Sequence, residues 1–177
     1  MSQHDFNKPV EWYKDEAGFA EELARGRKTQ IRIAMRLIPL GLWVRVEPFK
    51  ERKGLASQDP KCQDDQDVEV EGGHMLEVKG RALKFEGAGD YPYPTVFLGR
   101  ESRWNARKKL PCAVVIVSEI TDATLVIPYD TRPQWEKNET FDRRRQFIEH
   151  GLGAPLSCVV SWERLVEHLT KRKHKNL

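Results

Sequence analysis

Asp67-Val68-Glu69-Val70-Glu71-Gly72-Gly73-His74-Met75-Leu76-Glu77-Val78-Lys79 is the stretch around which the rest of the chain reads as organised. Apolar and polar residues alternate on both sides of Gly72-Gly73, and a glycine pair supplies a tight turn, so the segment predicts two short strands of one hairpin. Asp67 opens the first strand. Glu77 and Lys79 lie two apart on the second, so their side chains leave the same face of the sheet. Two carboxylates and an ammonium can then meet at one point, a set suited to a hard divalent cation and to a water that attacks phosphorus. The plain alternative is the solvent face of an amphipathic strand, the commoner meaning of a bare E-x-K tripeptide.

Working outward, residues 1–10 read as a loose leader. Glu11–Arg25 predicts a helix stopped at Gly26, and Thr29–Leu37 a second one capped by Thr29, with Ile31, Ala34, Met35 and Ile38 on its packing face. Leu42–Val46 reads as a strand closed by Pro48. Residues 50–66 are polar and charged and predict a long loop, in which Asp59, Asp64 and Asp65 rival Asp67. Asp67 is preferred because the alternating strand begins directly after it. Beyond Lys79 the strand is expected to continue toward Phe85, followed by a turn over 87–94 and a short strand at Thr95–Leu98. Glu101–Leu110 predicts a helix; within it Arg103, Trp104, Arg107, Lys108 and Lys109 suit a surface that neutralises phosphates and stacks on a base, or else a solvated helix with Trp104 packed inward. Ala113–Val117 is the most hydrophobic run and the expected central strand. A turn at Thr121-Asp122 leads to an antiparallel partner at Leu125–Ile127. Residues 128–135 read as a loop, Phe141–His150 as a helix carrying Arg143, Arg144 and Arg145, and Trp162–Leu169 as a last helix packed through Leu165, Val166 and Leu169 with Ser161 as N-cap. Residues 171–177 are a basic tail.

The aspartate, the hairpin and the apolar strand ending in Met75-Leu76-Glu77-Val78-Lys79-Gly80 together resemble the PD-(D/E)XK nuclease superfamily. The resemblance covers roughly residues 26–130. It implies a restriction endonuclease-like α/β core: a mixed central sheet flanked by helices, in the order opening helix, three-strand meander, crossover helix, fourth strand. It also implies a Mg²⁺-dependent nuclease, with Mn²⁺ as substitute, that hydrolyses DNA phosphodiester bonds. Asp67 and Glu77 would hold the metal with the carbonyl of Val78, Lys79 would orient the attacking water, and Arg81 would contact phosphate. In many members the opening helix supplies a glutamate after a Gly-Lys or Gly-Arg pair; in Gly26-Arg27-Lys28-Thr29-Gln30 that position is Gln30, whose amide oxygen can ligate a cation without adding charge. Gln66 stands where the family has proline. The rival reading is a non-catalytic nucleic-acid-binding protein with a degenerate nuclease fold.

With 177 residues, 39% apolar and 32% charged, the chain reads as one globular domain with a wet surface. The net charge of +3 is small, and the cations gather in the second half. No apolar run nears the ~20 residues of a membrane span, and no signal-peptide core is present, so a cytoplasmic protein is expected. Three widely spaced cysteines, Cys62, Cys112 and Cys158, argue against a disulfide framework and a structural zinc site. His74 reads as a turn residue. There is no Walker loop, dinucleotide fingerprint or H-E-x-x-H motif. A homodimer is compatible with double-strand cutting.

Overall fold

The computed structural model describes residues 16–46, 67–142 and 147–171. The leader, the loop over 50–66 with Asp59, Cys62, Asp64 and Asp65, residues Arg143, Arg144 and Arg145, and the tail after Lys171 lie outside them. The hairpin forms as its sequence dictates. Gly72 and Gly73 take φ of 79° and 76°, left-handed conformations that disfavour side chains, and join β2 (Val68–Val70) to β3 (His74–Arg81). β1 (Val44–Val46) pairs antiparallel with β2, so three strands make a meander. β5 (Ala113–Ser118) then pairs parallel with β3, Leu76 against Ala113, and β6 (Thr124–Pro128) closes the sheet antiparallel to β5. The result is a five-stranded mixed sheet in the order β1-β2-β3-β5-β6. β3, rather than the expected Ala113–Val117 strand, is its middle.

Each face of this sheet has its own core. On one, Val68, Val70, Leu76, Val78, Val115 and Val117 pack against Ile33 and Leu37 of α1 (Glu16–Leu37) and Leu165 and Leu169 of α3 (Trp162–Lys171). On the other, Val114, Ile116, Leu125 and Ile127 meet Val96 and Leu98 of β4 (Thr95–Gly99), Trp104 of α2 (Glu101–Ala106), and Leu152 and Ala154 of β8 (Phe147–Pro155). β4, β8 and β7 (Glu136–Asp142) form a second, antiparallel sheet in the order β4-β8-β7. The molecule is mixed α/β.

Five expectations fail. The helix runs unbroken through Gly26: an interior glycine costs only about 1 kcal/mol against alanine, and Thr29, instead of capping, is buried with its hydroxyl donating to the carbonyl of Arg25 one turn back. The buried face of α1 is Thr29, Ile33, Ala34 and Leu37, while Met35 and Ile38 stand 66% and 55% exposed. The described ends of the expected helix over Phe141–His150 are strand instead: β7 and β8 pair antiparallel, and the pairing of β8 with β4 is long-range and invisible to local periodicity. Glu101–Leu110 supports only six helical residues, ending at Ala106, and β3 ends at Arg81. The last helix holds, with Ser161 Oγ accepting from the N–H of Arg164. Among the described residues, no helix is long and apolar enough to cross a membrane.

Candidate active site

Val68 pairs with Leu76, so extending the β2–β3 register by one residue sets Asp67 opposite Glu77. Val68, Leu76 and Val78 point to the α1 side. Alternation therefore sends Asp67, Glu77 and Lys79 to the other face, at the end of the sheet where β2 begins. Asp67 Oδ2 accepts from the Val78 N–H at 2.7 Å, and Oδ1 accepts from Gln30 Nε2 at 3.0 Å, so α1 reaches the site around the strand end. Lys79 Nζ lies 2.7 Å from Glu77 Oε1, and Arg107 Nη2 lies 2.7 Å from Oε2. Four chain segments thus converge on two carboxylates.

Their environments drive the two carboxyls apart. Burial, and then the charge of Glu77, push Asp67 up to about 7, against the opposing pull of Lys79, the Val78 N–H and Arg107. Glu77 is only 5% exposed. Burial opposes its charge too, but Lys79 and Arg107 together overcome that and hold it below the usual range. Glu77 is the fixed anion of the site; Asp67 exchanges its proton near neutrality.

Several expected roles change. Arg107 does not sit on the surface: its side chain is 8% exposed, and its guanidinium stacks 4.2 Å from the Trp104 ring centre. Trp104 is 3% exposed, donates from Nε1 to the Leu98 carbonyl and packs edge-to-face on Trp135, so it cannot stack on a base. Arg81 donates to the Phe97 carbonyl, tying β3 to β4. The Gln30 oxygen faces Arg27 Nη1 at 3.4 Å, so the amide offers Asp67 its nitrogen rather than offering a cation its oxygen. His74 opens β3 in a buried position against the ring of His168, not in an open turn. Arg103, Lys108 and Lys109 are exposed. Arg143 and Arg144 lie outside the described residues. Sequence reasoning missed Arg107 as the partner of Glu77, because nothing local links residues thirty apart; the one signal was a cation beside a tryptophan. It missed Gly99 as well, whose φ of 112° bends the end of β4 to within 4.0 Å of Lys79 Nζ, measured from the position of an added Cβ.

Among the described residues no group of three His, Cys, Asp or Glu side chains gathers that could hold a metal. Two carboxylates do gather. Mg²⁺ needs only one or two, because it keeps several waters. The N–H and carbonyl of one strand residue leave on the same edge, so the Val78 carbonyl shares the edge on which its N–H meets Asp67. This all-oxygen donor set fits a hard cation. Comparison with protein-family models, curated proteins and solved structures gives no match for this chain.

Proposed function

We propose that this chain is a metal-dependent nuclease of the PD-(D/E)XK type that hydrolyses DNA phosphodiester bonds. The observation that carries the reading is the meeting of Asp67, Glu77 and Lys79 at one strand end, with Gln30 of the opening helix against Asp67. The order of elements also supports it: α1, a three-strand meander, the short α2 in the crossover, then β5 parallel to β3, the sequence of a restriction endonuclease-like core. Here the β4-β8-β7 sheet, in place of long helices, covers the second face.

Asp67 and Glu77, with the Val78 carbonyl, would hold Mg²⁺ or Mn²⁺. Bound there, the ion would polarise the phosphate and make a water easier to deprotonate. Lys79 would orient that water and offset charge developing on phosphorus. Gln30 and the Val78 N–H fix the Asp67 carboxylate, and Arg107 fixes Glu77. The exposed Arg103, Lys108 and Lys109 would bind the phosphates of a DNA partner, whose length offers many such contacts. Cytoplasmic action and a dimer that cuts both strands belong to the same reading.

A second reading, a DNA-binding protein without catalysis, draws on the fact that both Glu77 oxygens are held by cations and that the helix position is an uncharged amide. The deciding assay incubates supercoiled, linear, single-stranded and branched DNA with Mg²⁺, Mn²⁺ or EDTA. Wild-type protein is expected to cut only with metal, and Lys79→Ala to lose about a thousandfold in rate while still folding. Binding without cutting in every buffer would select the second reading.

A further inference from the structure

Arg107 is more than a counter-charge to Glu77. It follows α2 in extended conformation, and two contacts hold its guanidinium. The Trp104 ring lies beneath it, and that ring is itself pinned by the Leu98 carbonyl and by Trp135. Glu77 Oε2 lies 2.7 Å from Nη2, at an angle outside that of a good hydrogen bond. Nη1, on the same nine-tenths buried side chain, has no hydrogen-bond partner among the described residues.

A buried donor left unmade costs about 1–3 kcal/mol, more on a charged group. Stacking fixes the plane of the guanidinium, so Nη1 cannot turn to find a partner without leaving Trp104. A planar fork can hold a carboxylate with one nitrogen and a phosphate oxygen with another, which a lysine ammonium does less well. Lys79 and Arg107 occupy different oxygens of Glu77, so neither cation displaces the other. The exposed Lys108 and Lys109 continue directly from Arg107.

We propose that Arg107 is the phosphate anchor of this site: Nη1 donates to a non-bridging oxygen of the nucleic-acid backbone while Nη2 keeps Glu77. The proposal deepens the nuclease reading and rests on it for the identity of the polymer. Binding the phosphate satisfies the orphaned N–H and seats the backbone beside Glu77 without any change in the carboxylate's own partners.

The test is fluorescence anisotropy of the full chain with a duplex oligonucleotide lacking terminal phosphates, in EDTA, across a salt series. Arg107→Gln is compared with Arg164→Gln, which removes the same charge from an exposed position on α3. The expected result is about a tenfold loss of affinity for Arg107→Gln and a salt slope lower by about 1, with Arg164→Gln near wild type. Equal behaviour of the two variants overturns the proposal. If Arg107→Gln fails to fold, Arg107→Lys carries the test: it retains the charge but not the fork, and several-fold weaker binding is expected, whereas wild-type affinity overturns the proposal. Inorganic phosphate is added at matched ionic strength; displacement of the duplex beyond that by chloride, lost in Arg107→Gln, would make the free anion the ligand and overturn the nucleic-acid assignment. Cleavage by wild type with normal DNA affinity in Arg107→Gln leaves the nuclease reading standing and removes the anchor. Absence of cleavage together with lost affinity in Arg107→Gln removes the nuclease and leaves the anchor.

Discussion

The two faces of β3 are built from alternate residues of one strand, and they do opposite things. Leu76 and Val78 face α1 in an apolar layer whose neighbours are aliphatic. Glu77 and Lys79 face the second sheet, where a nearly buried carboxylate lies between two cations and beside a second carboxyl held up near neutrality. The first face gains stability from every contact. The second spends some of that stability on an arrangement that desolvates charge, and desolvated charge is poor evidence of design for stability. Clusters of this kind concentrate at functional sites, though structural ion-pair networks make them too.

The comparison breaks most severely at Leu76, which is fully buried. Leu76→Ala is expected to cost about 2–5 kcal/mol in urea unfolding; a smaller loss would mean that the α1 face is not the scaffold. Next is Gly151, where an added Cβ would strike the backbone carbonyl of Gly99 and stand 2.6 Å from the Phe97 ring. Backbone cannot yield as a side chain can, so Gly151→Ala should destabilise by about 1–3 kcal/mol and shift the bend beside Lys79. Retained stability in that variant would show that the second sheet is loosely seated.

Asp67→Asn sharpens the contrast in the other direction. In the unfolded chain this carboxyl ionises near its ordinary 3.8, while in the fold it keeps its proton to about 7. Its stabilising contribution is therefore fully present below about pH 4 and is lost as pH rises through about 7. Asparagine never ionises, so in EDTA the variant should match wild type at low pH and exceed it by on the order of 1–3 kcal/mol at pH 8. Thermal melts across pH 4–8 would reveal it, and a variant no more stable at pH 8 would contradict the buried-charge account. The smallest effect is expected at Met35, 66% exposed on the far side of α1: Met35→Ser should stay within about 0.5 kcal/mol of wild type by urea titration.

The parts legible in the sequence are those with local causes. The β2–β3 hairpin could be read because two glycines and a two-residue alternation carry it, and Glu77 and Lys79 share a face for the same reason. The buried face of α1 could not, because Ile31, Ile33, Met35, Leu37 and Ile38 place apolar side chains all around the helix, and the position of the sheet chooses between Ile33/Leu37 and Met35/Ile38. The β7–β8 hairpin was hidden because β8 owes its place to β4, some fifty residues earlier. At the site, the pairing of Asp67 with Gln30 followed the resemblance, but its donor sense did not: a carboxylate with one oxygen on the Val78 N–H attracts the amide nitrogen. The burial of Trp104 and Arg107 depends on Leu98 and Trp135, which no local pattern joins to them.

The parallel pairing of β3 with β5 has a temporal consequence. The β2–β3 hairpin closes through a tight turn and is expected to form within microseconds. Leu76 meets Ala113, by contrast, only after the intervening turn, β4 and α2 have been looped out, a closure that must come before its contacts repay it. Arg107 lies in that same intervening stretch. During synthesis, then, the hairpin with Glu77 emerges first with an open strand edge, and it waits for the chain to pass Ser118 before that edge is covered and the carboxylate has both its cations. The charge cluster of this fold is assembled late, from parts made early.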